Sequence, residues 1–232
     1  MKIEGHLRMP LLITADWHVG SKPFSALAYD ILVDDVKDKK VKDIVVCGNI
    51  LQGLSGRKFE QSELLEPRLD RQIDLAARYL KQLPSSTKIA MISGVNEEAT
   101  KNRYKGYDTL KILAKMIPNA TYYGQVANLK LGDRFTLMAA HGQGRSPYAS
   151  SHPIQRAYER LIVQPDIFVM GHFRELIHMF VPPNRLLIEP GTLARETIYD
   201  KCRGITAQVG WYILHDYDEE HDEIEVRFPR VY

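Results

Sequence analysis

Cysteine is scarce in this 232-residue chain: only Cys47 and Cys202 occur, and the pair offers neither a disulfide framework nor the spacing of a cysteine zinc site. Cys47 closes the apolar run Ile44-Val45-Val46-Cys47, where a small buried residue is expected. Glycine (15) and proline (12) stay at ordinary levels, which excludes collagen-like and low-complexity classes. An excess of one charge is also lacking. Thirty-one basic against 29 acidic residues give a net charge of +2. That excludes a whole-protein electrostatic footprint for nucleic acid and leaves room only for a local patch. No stretch reaches the roughly 18 apolar residues of a membrane span. Charges and a proline interrupt the apolar residues from Met1 to Thr14, so a signal peptide's continuous apolar region is missing. The cytoplasm is the simplest expected location, with no membrane partner.

What is present suits an ordinary core: 44% of residues are hydrophobic and 26% charged. Short apolar runs recur, each stopped by a polar cluster: Leu11-Leu12-Ile13, Ile44-Val45-Val46, Ile89 to Ile92, Phe135 to Ala140, and Ile167 to Met170. Their length and β-branched content predict buried strands. Helical periodicity lies between them, over Leu27 to Val36, Leu69 to Leu83, Tyr107 to Ile117 and Ile154 to Ile162. Alternating strands and helices imply a layered α/β fold. After Gly171, four strand-like segments follow one another (Leu176 to Val181, Arg185 to Ile188, Val209 to Leu214, Ile224 to Phe228), which predicts a second, mostly antiparallel sheet completing a sandwich. Leu51 to Pro67 is expected to be a long surface loop. No linker or repeat divides the chain, so residues 1–232 read as one domain.

The polar residues converge on the strand ends. Asp16 and His18, Gly48-Asn49, Gly94-Val95-Asn96-Glu97, His141-Gly142 and Gly171-His172 each follow or close an apolar run. Ligands bind at such carboxyl ends in open α/β folds. Carboxylate, imidazole and amide oxygen form a donor set suited to Mn, Fe or Zn.

This order of motifs resembles the calcineurin-like metallophosphoesterase superfamily over about residues 11–195. Its pattern runs Asp-x-His, Gly-Asp, Gly-Asn-His-Asp/Glu, His, then Gly-His-x-His. Ala15-Asp16-Trp17-His18-Val19-Gly20 is similar to the first motif of the DNA-repair nuclease branch. Glu189-Pro190-Gly191-Thr192 is similar to the Asn-Pro-Gly-Ser segment of small phosphodiesterases of this fold. The resemblance implies a four-layer α/β-β/α sandwich with mixed sheets. It also implies two metals at the strand ends, about 3.5–4 Å apart, and a metal-bound hydroxide that attacks a phosphodiester.

Carried over by position, Asp16, His18, His141 and His172 match the family's metal ligands. Asn49 stands in place of the carboxylate that bridges both metals, Val95 in place of an asparagine ligand, Asn96 in place of the catalytic histidine, and Arg174 in place of the last histidine. An amide at Asn49 supplies no negative charge, and Asn96 cannot act as a general acid. A one-residue slip of that turn would instead present Asn96 to the metal and Glu97 as the acid. A permanent cation at Arg174 repels a metal at the Asp16 side, so that site is expected to be empty. At most one Mn or Zn is expected, at His141, His172 and Asn49. Arg174 is expected either to pair with Asp16 or Glu175 or to bind the phosphoryl group.

Two functions remain open at this point. One is a phosphodiesterase or nuclease-like hydrolase with weak or lost activity. The other is a non-catalytic scaffold that presents the fold to a protein or nucleic-acid partner. Elsewhere, Lys101-Asn102-Arg103-Tyr104-Lys105 with Tyr107 reads as a solvated loop, with contact to a nucleic-acid backbone or single-stranded bases as the alternative. Gly142 to Ser146 is equally a phosphate cradle or a plain turn, and Asp216 to Glu223 an acidic hairpin turn. His6, His152, His178, His215 and His221 lie outside the motifs.

Overall fold

A computed structural model describes residues 2–56, 60–144, 149–202, 206–216, 222–227 and 229. In chain order the elements begin with strands β1 (Gly5–Leu7) and β2 (Leu11–Thr14), helix α1 (Ala26–Asp38) and strand β3 (Asp43–Cys47). Helices α2 (Glu60–Glu63) and α3 (Leu69–Leu80), strand β4 (Lys88–Ile92), and helices α4 (Val95–Arg103) and α5 (Thr109–Met116) follow. Then come strands β5 (Ala120–Tyr122), β6 (Val126–Leu131) and β7 (Phe135–His141), helix α6 (His152–Glu159) and strand β8 (Ile167–Gly171). Strands β9 (Leu176–Val181) and β10 (Arg185–Pro190), helix α7 (Ile198–Cys202), and strands β11 (Trp211–Asp216) and β12 (Asp222–Arg227) complete the order.

Two six-stranded mixed sheets form, in the orders β1-β6-β7-β8-β10-β9 and β12-β11-β2-β3-β4-β5. The unbroken apolar runs have a simple origin: successive residues of a central strand feed opposite cores. Leu11, Ile13, Val45 and Cys47 pack between the sheets, while Leu12, Ile44 and Val46 pack outward against the helices. On α3 the buried residues Ile73, Ala76, Ala77 and Leu80 recur at helical spacing and close the outer core with Leu32 and Val36 of α1. Ser25 starts α1 by accepting from the Ala28 amide at 3.2 Å. Ile154 and Tyr158 of α6 cover the other sheet. The layers are therefore helix, sheet, sheet, helix, as the expected sandwich requires.

Two expectations need correction. The strands after Gly171 do not make a sheet of their own. β9 and β10 extend the sheet of β7 and β8, whereas β11 pairs antiparallel with β2 and carries β12 on the other sheet. The segment from Leu51 to Pro67 is also not all surface loop. Leu51 is fully buried and bridges Val19, and α2 buries Glu60. Among the described residues, no helix is long and apolar enough to cross a membrane.

Candidate functional site

The carboxyl ends of β2, β3 and β4 in one sheet meet those of β7 and β8 in the other, and the motif residues sit on these ends. Asp16, His18, Asn49, His172 and Arg174 all have left-handed backbone, with φ of 51°, 55°, 50°, 91° and 61°. Such conformations are costly for residues with a side chain and collect at functional sites. The strand ends also pack very closely. A side chain on Gly48, itself at φ 80°, would lie 2.5 Å from His141 Nδ1, and one on Gly171 would strike the Cys47 carbonyl.

Asp16 is the hub and is 1% exposed. Its Oδ1 accepts from Asn49 Nδ2 at 2.8 Å, and its Oδ2 accepts from the His172 amide at 2.8 Å. His18 Nε2 lies 3.5 Å and His141 Nε2 3.9 Å from Oδ1. Burial alone would raise this carboxyl. Electrostatic attraction to His141, a hydrogen bond from His18 and the further pull of His18 and His172 outweigh burial and hold the group well below the usual carboxylate range. The imidazoles are oriented from behind. His141 Nδ1 donates to the Cys47 carbonyl at 2.7 Å, and His18 Nδ1 faces Gln52 Oε1 at 3.0 Å. His172 Nε2 donates to the Gly144 carbonyl at 3.0 Å, and its ring meets that of His141 edge to face at 5.4 Å.

Asn49 occupies the centre. Its amide nitrogen donates to Asp16 while its oxygen accepts from the Asn96 amide at 3.0 Å, so both ends of the side chain are used. Asn96 in turn donates through Nδ2 to the Gln52 carbonyl at 3.0 Å, and its buried Oδ1 has no hydrogen-bond partner. Glu97 does not reach the site. It accepts from the amides of Asn49 (3.0 Å), Gly94 (2.8 Å) and Leu51 (2.9 Å), tying the start of α4 to the end of β3. Burial pushes its carboxyl up to about 7 against the pull of those amides. The one-residue slip that would make Glu97 an acid is therefore corrected: its oxygens serve the backbone.

Arg174 is likewise turned away from both expected partners. Its Nη1 pairs with Asp200 in the short helix α7, and its Nη2 donates to the carbonyls of Ala194 (3.0 Å) and Arg195 (2.6 Å). At 8% exposure it clamps the segment after β10. The pairing with Asp16 or Glu175 is corrected, because Asp200 satisfies the guanidinium from a part of the chain 26 residues away. Several contributors carried no sequence signal: the Cys47 carbonyl, Gln52 and Asp200. Thr192, of the Glu-Pro-Gly-Thr segment, donates its hydroxyl to the Asp16 carbonyl at 2.6 Å. Glu189, in the Glu-Pro-Gly-Thr segment, is 1% exposed with both carboxylate oxygens unpartnered; burial and nearby Glu175 push it up to about 8. Of the Gly142 to Ser146 turn, Arg145 and Ser146 lie outside the described residues, as do Tyr217 to His221 of the acidic turn.

A two-metal centre does not fit these residues. No carboxylate stands at the bridging position, Asn49 has both polar ends committed, Val95 has no donor, and Arg174 is a bound cation. The single-ion set of His141, His172 and Asn49 would have to share its amide oxygen with the Asn96 amide. Among the described residues, no group of three or more His, Cys, Asp or Glu is arranged to hold a metal ion.

The chain matches no family model. The DNA polymerase II small subunit of Thermoplasma acidophilum is 23% identical over 208 residues, which is 73% of this chain and 42% of that protein. This chain thus spans less than half the length of that relative. Among solved structures, a Vps29 single mutant from Entamoeba histolytica superimposes with a TM-score of 0.52 at 15% identity, covering 95% of this chain and 99% of that one. The same organism's wild-type Vps29 complexed with zinc gives 0.50 at 14%, with 94% and 98% coverage. The Escherichia coli phosphoesterase YfcE gives 0.50 at 16%, with 90% and 88% coverage. The fold is that of the calcineurin-like metallophosphoesterases.

Proposed function

We propose that this domain is a binding module built on the phosphoesterase fold, and that its strand-end site no longer performs two-metal phosphoester hydrolysis. The observation that carries this reading is Asn49. Where two dications need a bridging carboxylate, an amide joins the Asp16 carboxylate to the Asn96 amide with both polar ends satisfied. The surrounding groups support it. Glu97 serves as a helix cap, and Arg174 is held by Asp200, so neither of these two side chains is available to a phosphoryl group. Asp16, His18, His141 and His172 then act as a rigid hydrogen-bonded plug that keeps the five strand ends in register. The partner would be a protein or nucleic acid, in keeping with a relative that is the small subunit of a DNA polymerase.

Hydrolysis of an aryl phosphodiester with Mn or Zn present, run beside a His141→Ala control, tests this. No metal-dependent turnover above the protein-free blank is expected from either protein. Metal-dependent turnover that disappears in the control would restore the phosphodiesterase reading, with the ion held by the remaining imidazoles.

A further inference from the structure

A local excess of positive charge lies where α4 passes into α5. Between Ala99 and Met116 five basic residues (Lys101, Arg103, Lys105, Lys111 and Lys115) stand against the single acidic Asp108. The stretch therefore carries +4, while the whole chain carries only +2. Asp108 is already engaged: it accepts from Lys101 Nζ at 2.9 Å and caps α5 through the Lys111 amide at 3.0 Å. Among the described residues, Arg103, Lys105, Lys111 and Lys115 have no ion-pair partner. A helix dipole accounts for Lys101 and Arg103 in the last turn of α4. It does not account for Lys105 in the loop or Lys111 in the first half of α5.

The surface shape follows the charge. Lys101, Lys111 and Lys115 line an open cleft of about 510 Å³ that runs over β5. Arg103 and Tyr104 line a second cleft of about 440 Å³ with Leu54, Leu64 and Glu60, whose carboxylate is taken up by the Ser55 and Gly56 amides. Tyr104 of the second cleft and Tyr107 of the α4–α5 loop are 41% and 39% exposed, and the Arg103 guanidinium carbon lies 5.8 Å from the Tyr104 ring centre. Cations lining two clefts at the ends of α4 and α5, with exposed rings on the same segment, suit a phosphate backbone whose bases stack on the rings.

We propose that this α4–α5 corner is a face that binds single-stranded nucleic acid. The inference names a partner class for the binding module and rests on that reading. An acidic peptide would use the cations but has less need of the rings, so the aromatic interleaving favours the nucleic acid.

Fluorescence anisotropy with a labelled oligothymidylate, in the absence of divalent metal, tests the face. Four phosphate contacts predict a salt slope of about −3, or roughly a 50-fold loss of affinity for a fourfold rise in salt. Lys105→Glu, Lys111→Glu and Lys115→Glu together should lower affinity by at least about tenfold and flatten the slope. Tyr104→Ala should lower affinity at least about fivefold while leaving the slope unchanged. The single Lys37→Glu control on α1 should do neither, and circular dichroism verifies that each variant is folded. Absence of binding at low salt, or binding equal in parent and triple variant, overturns the proposal. So does displacement by polyglutamate together with indifference to Tyr104→Ala, which would point to an acidic protein. Failure here leaves the reading of the strand-end site standing. Metal-dependent cleavage of the bound strand would instead overturn that reading while upholding the face.

Discussion

Restoring a carboxylate at the centre of the site, Asn49→Asp, should destabilise the protein in a pH-dependent way. The Asn49 amide nitrogen lies 2.8 Å from Asp16 Oδ1, at 1% exposure, so the substitution replaces a donor with an acceptor facing an acceptor. The lost hydrogen bond to a charged group is worth about 1.5–3 kcal/mol. Two carboxylates about 4 Å apart repel by a further ~4 kcal/mol at an effective dielectric near 20. Protonating the new carboxyl relieves part of that, so about 3–5 kcal/mol is expected near neutral pH, or about 10 °C in Tm for a chain of this size. The sign follows from linkage. The new group's folded pKa is raised above its unfolded value of about 3.9, so the penalty is absent below that pH and grows as pH rises toward the folded pKa. A protonated carboxyl can donate to Asp16 as the amide does. Thermal denaturation of parent and variant between about pH 4 and 8 checks this, with millimolar Mn expected to recover part of the loss in the variant alone. A variant as stable as its parent at neutral pH, or a deficit that does not shrink toward pH 4, refutes the bridging role of Asn49.

Arg174→Ala strands Asp200 with its charge buried and only the Thr197 amide and hydroxyl as donors, so a loss of about 3–5 kcal/mol is expected by urea denaturation. A loss below about 1 kcal/mol would mean that the clamp is solvated. Glu189→Gln should flatten the pH profile of stability. Because the carboxyl is raised to about 8, its contribution falls by about 1.4 kcal/mol per pH unit between its unfolded pKa and 8, and an isosteric amide removes that slope. An unchanged slope above about pH 5 would show that Glu189 ionises freely.

Most of the fold was legible because its signals are local. β2, β3, β4, β7, β8, β9 and β10 all lie on apolar runs visible in the sequence, and α1, α3 and α5 on periodic ones. The elements that escaped notice have identifiable reasons. β1 and β5 are three residues each, and β6 alternates apolar with polar residues around Asn128 and Lys130 instead of forming a run. α4 buries only Asn96, Glu97 and Thr100, so it has no apolar stripe to read; it is placed by the Glu97 carboxylate and by contacts of its polar side chains.

The sequence by itself determined which residue types stand at five strand ends, and therefore the fold and the loss of a bridging carboxylate. It also showed the mixture of basic and aromatic residues from Lys101 to Tyr107. Only the tertiary structure decided what those residues do to one another. Asn49 meets Asp16 across 33 positions and Arg174 meets Asp200 across 26, distances over which no sequence pattern specifies a pairing. In a buried site each polar group must find a partner, and folding chooses among the candidates by geometry. Here it turned Arg174 away from Asp16 and put Glu97 against the backbone. It left an amide, not a cation, to hold the central carboxylate.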